Sequence, residues 1–128
     1  MGERSPAADD ADAHDGLDVE EYWLDRIVVV AAVGAVDMLS APRLGEAIGV
    51  AAAKSPAGVI VDLSRVDFLA VAGMSMLIAA HANIIPNARF GVVADGAATS
   101  RLITLLGIEI PLYRTLDESL LDLRRGSA

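Results

Sequence analysis

Few side chains in this sequence have types and spacings that could do chemistry. Histidine occurs twice, as His14 and His81, far apart and without the HExxH or HxxxH spacing that sets two imidazoles around a metal. The 128 residues include no cysteine, which excludes thiolate zinc sites, iron–sulfur clusters, disulfides and cysteine nucleophiles. No GxSxG elbow, GxxxxGK[ST] loop or GxGxxG turn occurs. Asp62 closes an apolar run and could act as a lone carboxylate, but no second acid, base or nucleophile stands at an informative spacing from it. Its ordinary role is to hydrogen-bond loop backbone at a strand end. The residues point away from an enzyme, and no catalytic residue, metal or cofactor is expected.

One segment is dense in other signals: Val59-Ile60-Val61-Asp62-Leu63-Ser64-Arg65-Val66-Asp67-Phe68-Leu69-Ala70-Val71-Ala72-Gly73-Met74. It reads as a buried strand, a polar turn at Ser64–Arg65, an apolar anchor at Phe68-Leu69, and a helix beginning near Gly73. A helix start offers unpaired N–H groups and the positive end of the helix dipole, so the loop before it suits a regulatory group. The hydroxyls in reach have ordinary local roles. Ser64 and Thr99 are expected to cap or turn backbone, and Ser75 to pack within the helix, with a regulatory phosphosite as the alternative at each and the helix end available to a phosphate on Ser75.

The surrounding elements alternate. Val19–Leu24 and Ile27–Val33 are rich in strand formers and joined by Asp25-Arg26, as in a tight hairpin. Ser40 can cap a helix with Pro42 in its first turn and Leu44, Ala47, Ile48 and Ala51 on one face, ended by Ser55-Pro56. Gly58–Leu63 is a continuous apolar run of the kind buried on both faces of a sheet. There follow a predicted helix over Gly73–Asn83, a strand over Arg89–Ala94, a helix over Ala97–Leu106 stopped by Gly107, and a short strand over Pro111–Tyr113. Thr115 and Glu118 form a capping box ahead of a last helix. The order predicts a single α/β domain with a mixed, mostly parallel sheet, an N-terminal antiparallel strand and about four helices.

Charge divides the chain. The whole carries a formal net charge of -8 from 10 Lys+Arg and 18 Asp+Glu. Eight of the acids (Glu3, Asp9, Asp10, Asp12, Asp15, Asp18, Glu20, Glu21) fall in residues 1–21 against Arg4 alone, while ten acids and nine bases nearly cancel over 22–128. Residues 1–18 are therefore read as a disordered acidic tail ahead of a domain at 19–125. The acidic balance argues against direct nucleic-acid binding. The apolar runs Ile27–Val36 and Leu69–Ala80 fall short of the roughly 20 residues that span a bilayer, so no membrane role and a cytoplasmic location are expected. Ile84, Ile85 and the Trp23 strand leave a homodimer contact open.

The central segment resembles the signature of the STAS domain of bacterial anti-sigma factor antagonists, roughly V-x-D-L-S-x-V-x-F-[ILM]-D-S-[ST]-G-[LM]. This sequence supplies VDLSRVDFL and then Gly73-Met74. Gly34-Ala35-Val36-Asp37 stands where that family often has G-E-[LIV]-D. The stretches Arg101–Ile108 and Tyr113–Leu120 resemble its third helix and its closing strand and helix. The resemblance implies a STAS-like fold and a non-catalytic regulator that binds a kinase-like anti-sigma factor and so releases a sigma factor. It assigns partner binding to Asp37, Ser64, Arg65, Val71, Ala72, Gly73, Met74 and Ser75, although Met74 on its own reads as a core residue. Where the family has D-S-[ST]-G, this chain has Ala70-Val71-Ala72-Gly73. Ala72 occupies the usual phosphosite and cannot accept phosphate, so the usual switch is absent there. The alternative implied is a STAS scaffold or small-ligand sensory module in a larger signalling assembly.

Overall fold

The computed structural model describes residues 16–94 and 110–126. Five strands, β1 (Leu17–Leu24), β2 (Ile27–Val36), β3 (Gly58–Leu69), β4 (Arg89–Val93) and β5 (Leu112–Tyr113), form one sheet in the order β1-β2-β3-β4-β5. β1 runs antiparallel to β2, and every other neighbouring pair is parallel. The hairpin between β1 and β2 turns at Asp25, whose φ of 61° is one that Asp tolerates better than most residues. Three helices complete the described chain: α1 (Ala41–Ala52), α2 (Val71–Ile84) and α3 (Leu116–Gly126). The helix predicted over Ala97–Leu106, and most of the acidic tail, lie outside the described residues.

The period of two along the strands sorts the core into two layers. Val28, Val30 and Ala32 of β2 and Val59, Val61 and Leu63 of β3 pack with Leu44 and Ile48 of α1 and Met74 and Leu77 of α2. Ile27, Val29, Ile60 and Val93 face the other way and meet Leu123 of α3. The continuous apolar run of β3 thus lies between helices on both faces, as such runs do in parallel sheets. The capping box at α3 forms with a shift of partner: Thr115 Oγ1 accepts from the Glu118 N–H at 3.1 Å, while the Glu118 carboxylate accepts from Arg114 N at 3.0 Å.

Several elements run longer than their sequence patterns suggest. β1 begins at Leu17, inside the segment read as tail, because Gly16 O accepts from Ala35 N at 3.0 Å and Leu17 is buried. β2 continues to Val36. The expected turn at Ser64–Arg65 is instead part of β3, which extends to Leu69. Its pairing with β2 slips twice, from Asp62 opposite Ala31 to Arg65 opposite Val33, and from Val66 opposite Gly34 to Phe68 opposite Ala35. Each slip inserts one extra residue in β3, so polar residues that look like a turn are absorbed as bulges. α2 starts at Val71 rather than near Gly73.

At the edge contact considered from sequence, Ile84 is buried while Ile85 and Trp23 are exposed, and Trp23 Nε1 donates to the Glu21 carboxylate at 2.9 Å.

Candidate protein-docking surface

Parallel β2 and β3 end side by side, and Ala70 N donates to Val36 O at 2.8 Å, tying together the loops that leave them. In the first loop Asp37 Oδ1 accepts from Leu39 N at 3.0 Å and Ser40 N at 2.9 Å. The fully buried Ser40 hydroxyl accepts from Asp37 N at 2.9 Å and lies within hydrogen-bond distance of Ala35 O and Asp37 Oδ1. The backbone N–H and then the hydroxyl of Ser40 favour the ionised Asp37 and lower its pKa below the ordinary carboxylate value. Ser40 therefore stabilises the loop before α1 rather than capping the helix's own N–H groups. With those polar groups satisfied inside the turn, Met38 and Leu39 project outward, 76% and 77% exposed.

In the second loop Ala70 is the N-cap of α2, with extended backbone (φ -86°, ψ 169°) and no side chain able to cap. Val71 in the first turn is 66% exposed, and Ala72 is half-buried against the core. Because the helix begins at Val71, Gly73, Met74 and Leu77 fall on its inward face and are buried. Gly73 and Met74 accordingly present no surface to a partner, which corrects their assignment to the interface. Gly73 has a packing reason of its own: a Cβ there would lie 2.6 Å from Leu69 Cδ1 and 2.7 Å from Val36 Cγ1. Ser75, expected to pack, is exposed instead.

Phe68, 52% exposed, pairs with Ala35 at the end of β3. Arg65 pairs with Val33, two residues back along β2 and therefore on the same face. Ser64 sits on the bulge, its N–H and hydroxyl both held by the Asp62 carboxylate at 3.0 and 2.7 Å. Asp62 thus has the backbone-binding role expected of it, within a strand rather than at its end. The bond from Ala70 to Val36 sets the loop that begins at Asp37 beside the one that leads into Val71 and Ala72, while Ser75 lies a turn further along α2 and Ser64 and Arg65 lie further back along β3. The sequence analysis missed Met38 and Leu39. Their signal is an apolar pair directly after a turn-forming Asp, outside the helical period of Leu44, Ile48 and Ala51.

Among the described residues no three His, Asp or Glu side chains come together as a metal requires, and none of the helices is long and apolar enough to cross a membrane. A groove of about 340 Å³ runs between α1 and α2, lined by small and apolar residues including Gly45, Gly49, Ala52, Met76 and Ala80.

A mixed sheet whose two adjoining loops present an exposed apolar helix start defines an α/β docking module. Residues 21–120 match the family described as Mlab, STAS domain, and the chain belongs to the STAS-domain family. The anti-sigma-F factor antagonist RsfB of Mycobacterium tuberculosis is 37% identical over 116 residues, covering 89% of this chain and 95% of that protein. The crystal structure of an anti-sigma factor antagonist from Mycobacterium paratuberculosis shares 40% identity and superposes with a TM-score of 0.82, covering 88% of this chain and 97% of that one. The Bacillus anti-sigma factor antagonist SpoIIAA in its unphosphorylated form shares the fold at 14% identity, with a TM-score of 0.66 over 85% of this chain and 99% of its own.

Proposed function

We propose that this chain is an anti-sigma factor antagonist, a non-enzymatic cytoplasmic regulator that occupies an anti-sigma factor and thereby releases a sigma factor. The observation that carries the reading is that Met38 and Leu39 in the β2–α1 loop, Phe68 near the end of β3 and Val71 at the start of α2 are each more than half exposed, on segments that adjoin the two tied loops at one end of the sheet. Apolar side chains grouped in this way favour a protein partner. The likeness to RsfB and to the M. paratuberculosis antagonist supplies the partner class. With Ala72 at the usual phosphosite, docking is not switched by phosphate there.

The partner is taken to be a kinase-like anti-sigma factor, and the working form the monomer. The outer edge of β1 carries Asp18, Glu20 and Glu21, so pairing with a second copy would bring like charges together. The test is a binding screen of the purified chain against anti-sigma factors of its own genome. A complex is expected with one of them, weakened at least about tenfold by Leu39→Asp with no change in melting temperature. No complex with any of them, under conditions where a related antagonist binds, would refute the reading.

The groove between α1 and α2 favours a second reading, a small-ligand sensory module. A thermal-shift screen separates the two, since a specific ligand raises the melting temperature by mass action.

A further inference from the structure

The helices α1 and α2 touch near Gly45 and part beyond it. A Cβ on Gly45 would stand 2.9 Å from Met76 Cγ, so the two helices are in contact there. One turn further along α1, a Cβ on Gly49 would meet no atom within 4 Å. Packing within the chain therefore gives no reason for glycine at 49, inside a helix where it costs stability relative to alanine. The groove of about 340 Å³ that opens there has apolar walls, Ile48 and Ala52 on α1 and Met76 and Ala80 on α2. From Gly45 to Ala52 it follows α1 for about 10 Å, at about 1.5 Å per residue. A slot of that length and volume takes an extended chain more readily than a fused ring system.

At its far end the groove runs into a second cavity of about 550 Å³, with which it shares Ala52, Asn83 and Ile84. This second cavity is polar. Arg26, Ser55, Asn83 and Asn87 line it, and their side chains make no hydrogen bond or ion pair among the described residues. Although the chain has 18 Asp+Glu, no acid lines either cavity among the described residues, and Arg26 is the one charged side chain that does. Arg26 adjoins Ile27, which pairs with Gly58 where β2 and β3 start, so this cavity lies at the opposite pole from the docking loops.

We infer that the two cavities form one site for a single-chain amphiphile with an anionic head, its acyl chain along Gly49 and its carboxylate or phosphate at Arg26. The inference rests on the small-ligand reading above and gives that ligand its chemistry, while the docking reading stands apart from it. Gly49 leaves room for the methylenes between the helices, and seating them there removes apolar surface of chain and groove from water together. The Arg26 guanidinium offers the head a positive charge and N–H donors, and Ser55, Asn83 and Asn87 can donate beside it. A neutral head would leave the cation unmatched, and an anion without a chain would make no use of the groove.

The test uses the full chain with decanoate, decyl phosphate and decanol below the concentrations at which they aggregate, and acetate as a head alone. At least one of the two anionic probes is expected to raise the melting temperature by an amount that grows with its concentration, and acetate to give no rise. The stronger of the two anions distinguishes a free acid from a phosphate ester. Decanol should bind at least about threefold more weakly than that anion, and Arg26→Gln should remove this advantage while leaving decanol within about twofold. Gly49→Leu places a side chain in the groove, so it should keep the melting temperature of the chain alone and abolish the rise with every probe. Equal binding of decanol and the anions, unchanged binding by Arg26→Gln, or a Gly49→Leu chain that still responds overturns the inference. So does the lack of any rise with both anions. If another compound of the wider thermal-shift screen then stabilises the chain, the small-ligand reading survives this inference, and if none does, both fall.

Discussion

The start of α2 shows how much one side chain decides. Ala70 holds the extended backbone that an N-cap requires, yet its methyl group cannot accept a hydrogen bond from the first turn. The family pattern has Asp at this position, so two functions of the loop, phosphate acceptance at 72 and capping at 70, are missing together from this chain. Capping can be returned without touching the exposed apolar surface. Ala70→Asp is expected to stabilise the fold by about 0.5–2 kcal/mol, read as a higher urea midpoint with an unchanged slope. No gain would mean that the first-turn N–H groups are already satisfied in solution. Gly73→Ala tests the neighbouring constraint from the opposite side. Its Cβ would press on Leu69 and Val36, so a loss of about 1–3 kcal/mol is expected unless the helix shifts outward.

At the scale of elements, legibility followed from how far a pattern depends on local chemistry. The buried run Gly58–Leu63, the hairpin turn at Asp25-Arg26 and the box of Thr115 and Glu118 were readable because alternation, turn residues and caps act within a few positions. The continuation of β3 through Ser64-Arg65-Val66-Asp67 was not, since a bulge is defined by the partner strand and a polar run looks the same in a turn. The same reason hid Met38 and Leu39, whose exposure depends on Asp37 and Ser40 closing the turn behind them.

The β5–α3 contact yields a prediction of its own. Burial, and then the bond from the Tyr113 hydroxyl to the Asp122 carboxylate, push the Tyr113 pKa from 10.0 up to about 12. The neutral phenol is thus favoured by folding. Its contribution is complete below pH of about 10 and is lost as the unfolded chain ionises first, between about 10 and about 12. Tyr113→Phe should therefore flatten part of the alkaline decline in unfolding free energy. The remainder includes Tyr22, whose pKa burial also raises, with Asp62 and Glu20 adding to it. An unchanged alkaline slope in the variant would remove Tyr113 from this account.

For the whole molecule, the net charge of -8 invites the idea of an acidic protein with a cationic partner, but its distribution argues otherwise. Glu3, Asp9, Asp10, Asp12 and Asp15 precede the first described residue, while the proposed docking end consists of apolar side chains with Arg65 beside them. Charges outside the interface chiefly alter encounter rates and their salt dependence, whereas buried apolar contacts set how long a complex lasts. A deletion must also respect the fold: Gly16 O receives Ala35 N, and Leu17 is part of the core, so residues 1–15 are the segment to remove. The shortened chain is expected to keep its affinity for the anti-sigma factor within about threefold at physiological salt, and its dissociation rate nearly unchanged. Its association rate should respond differently to salt, because the acids that repel or attract at long range are gone. A large rise in the dissociation rate would place the acidic segment inside the interface, and the partner would then have to offer a basic surface beside its apolar one.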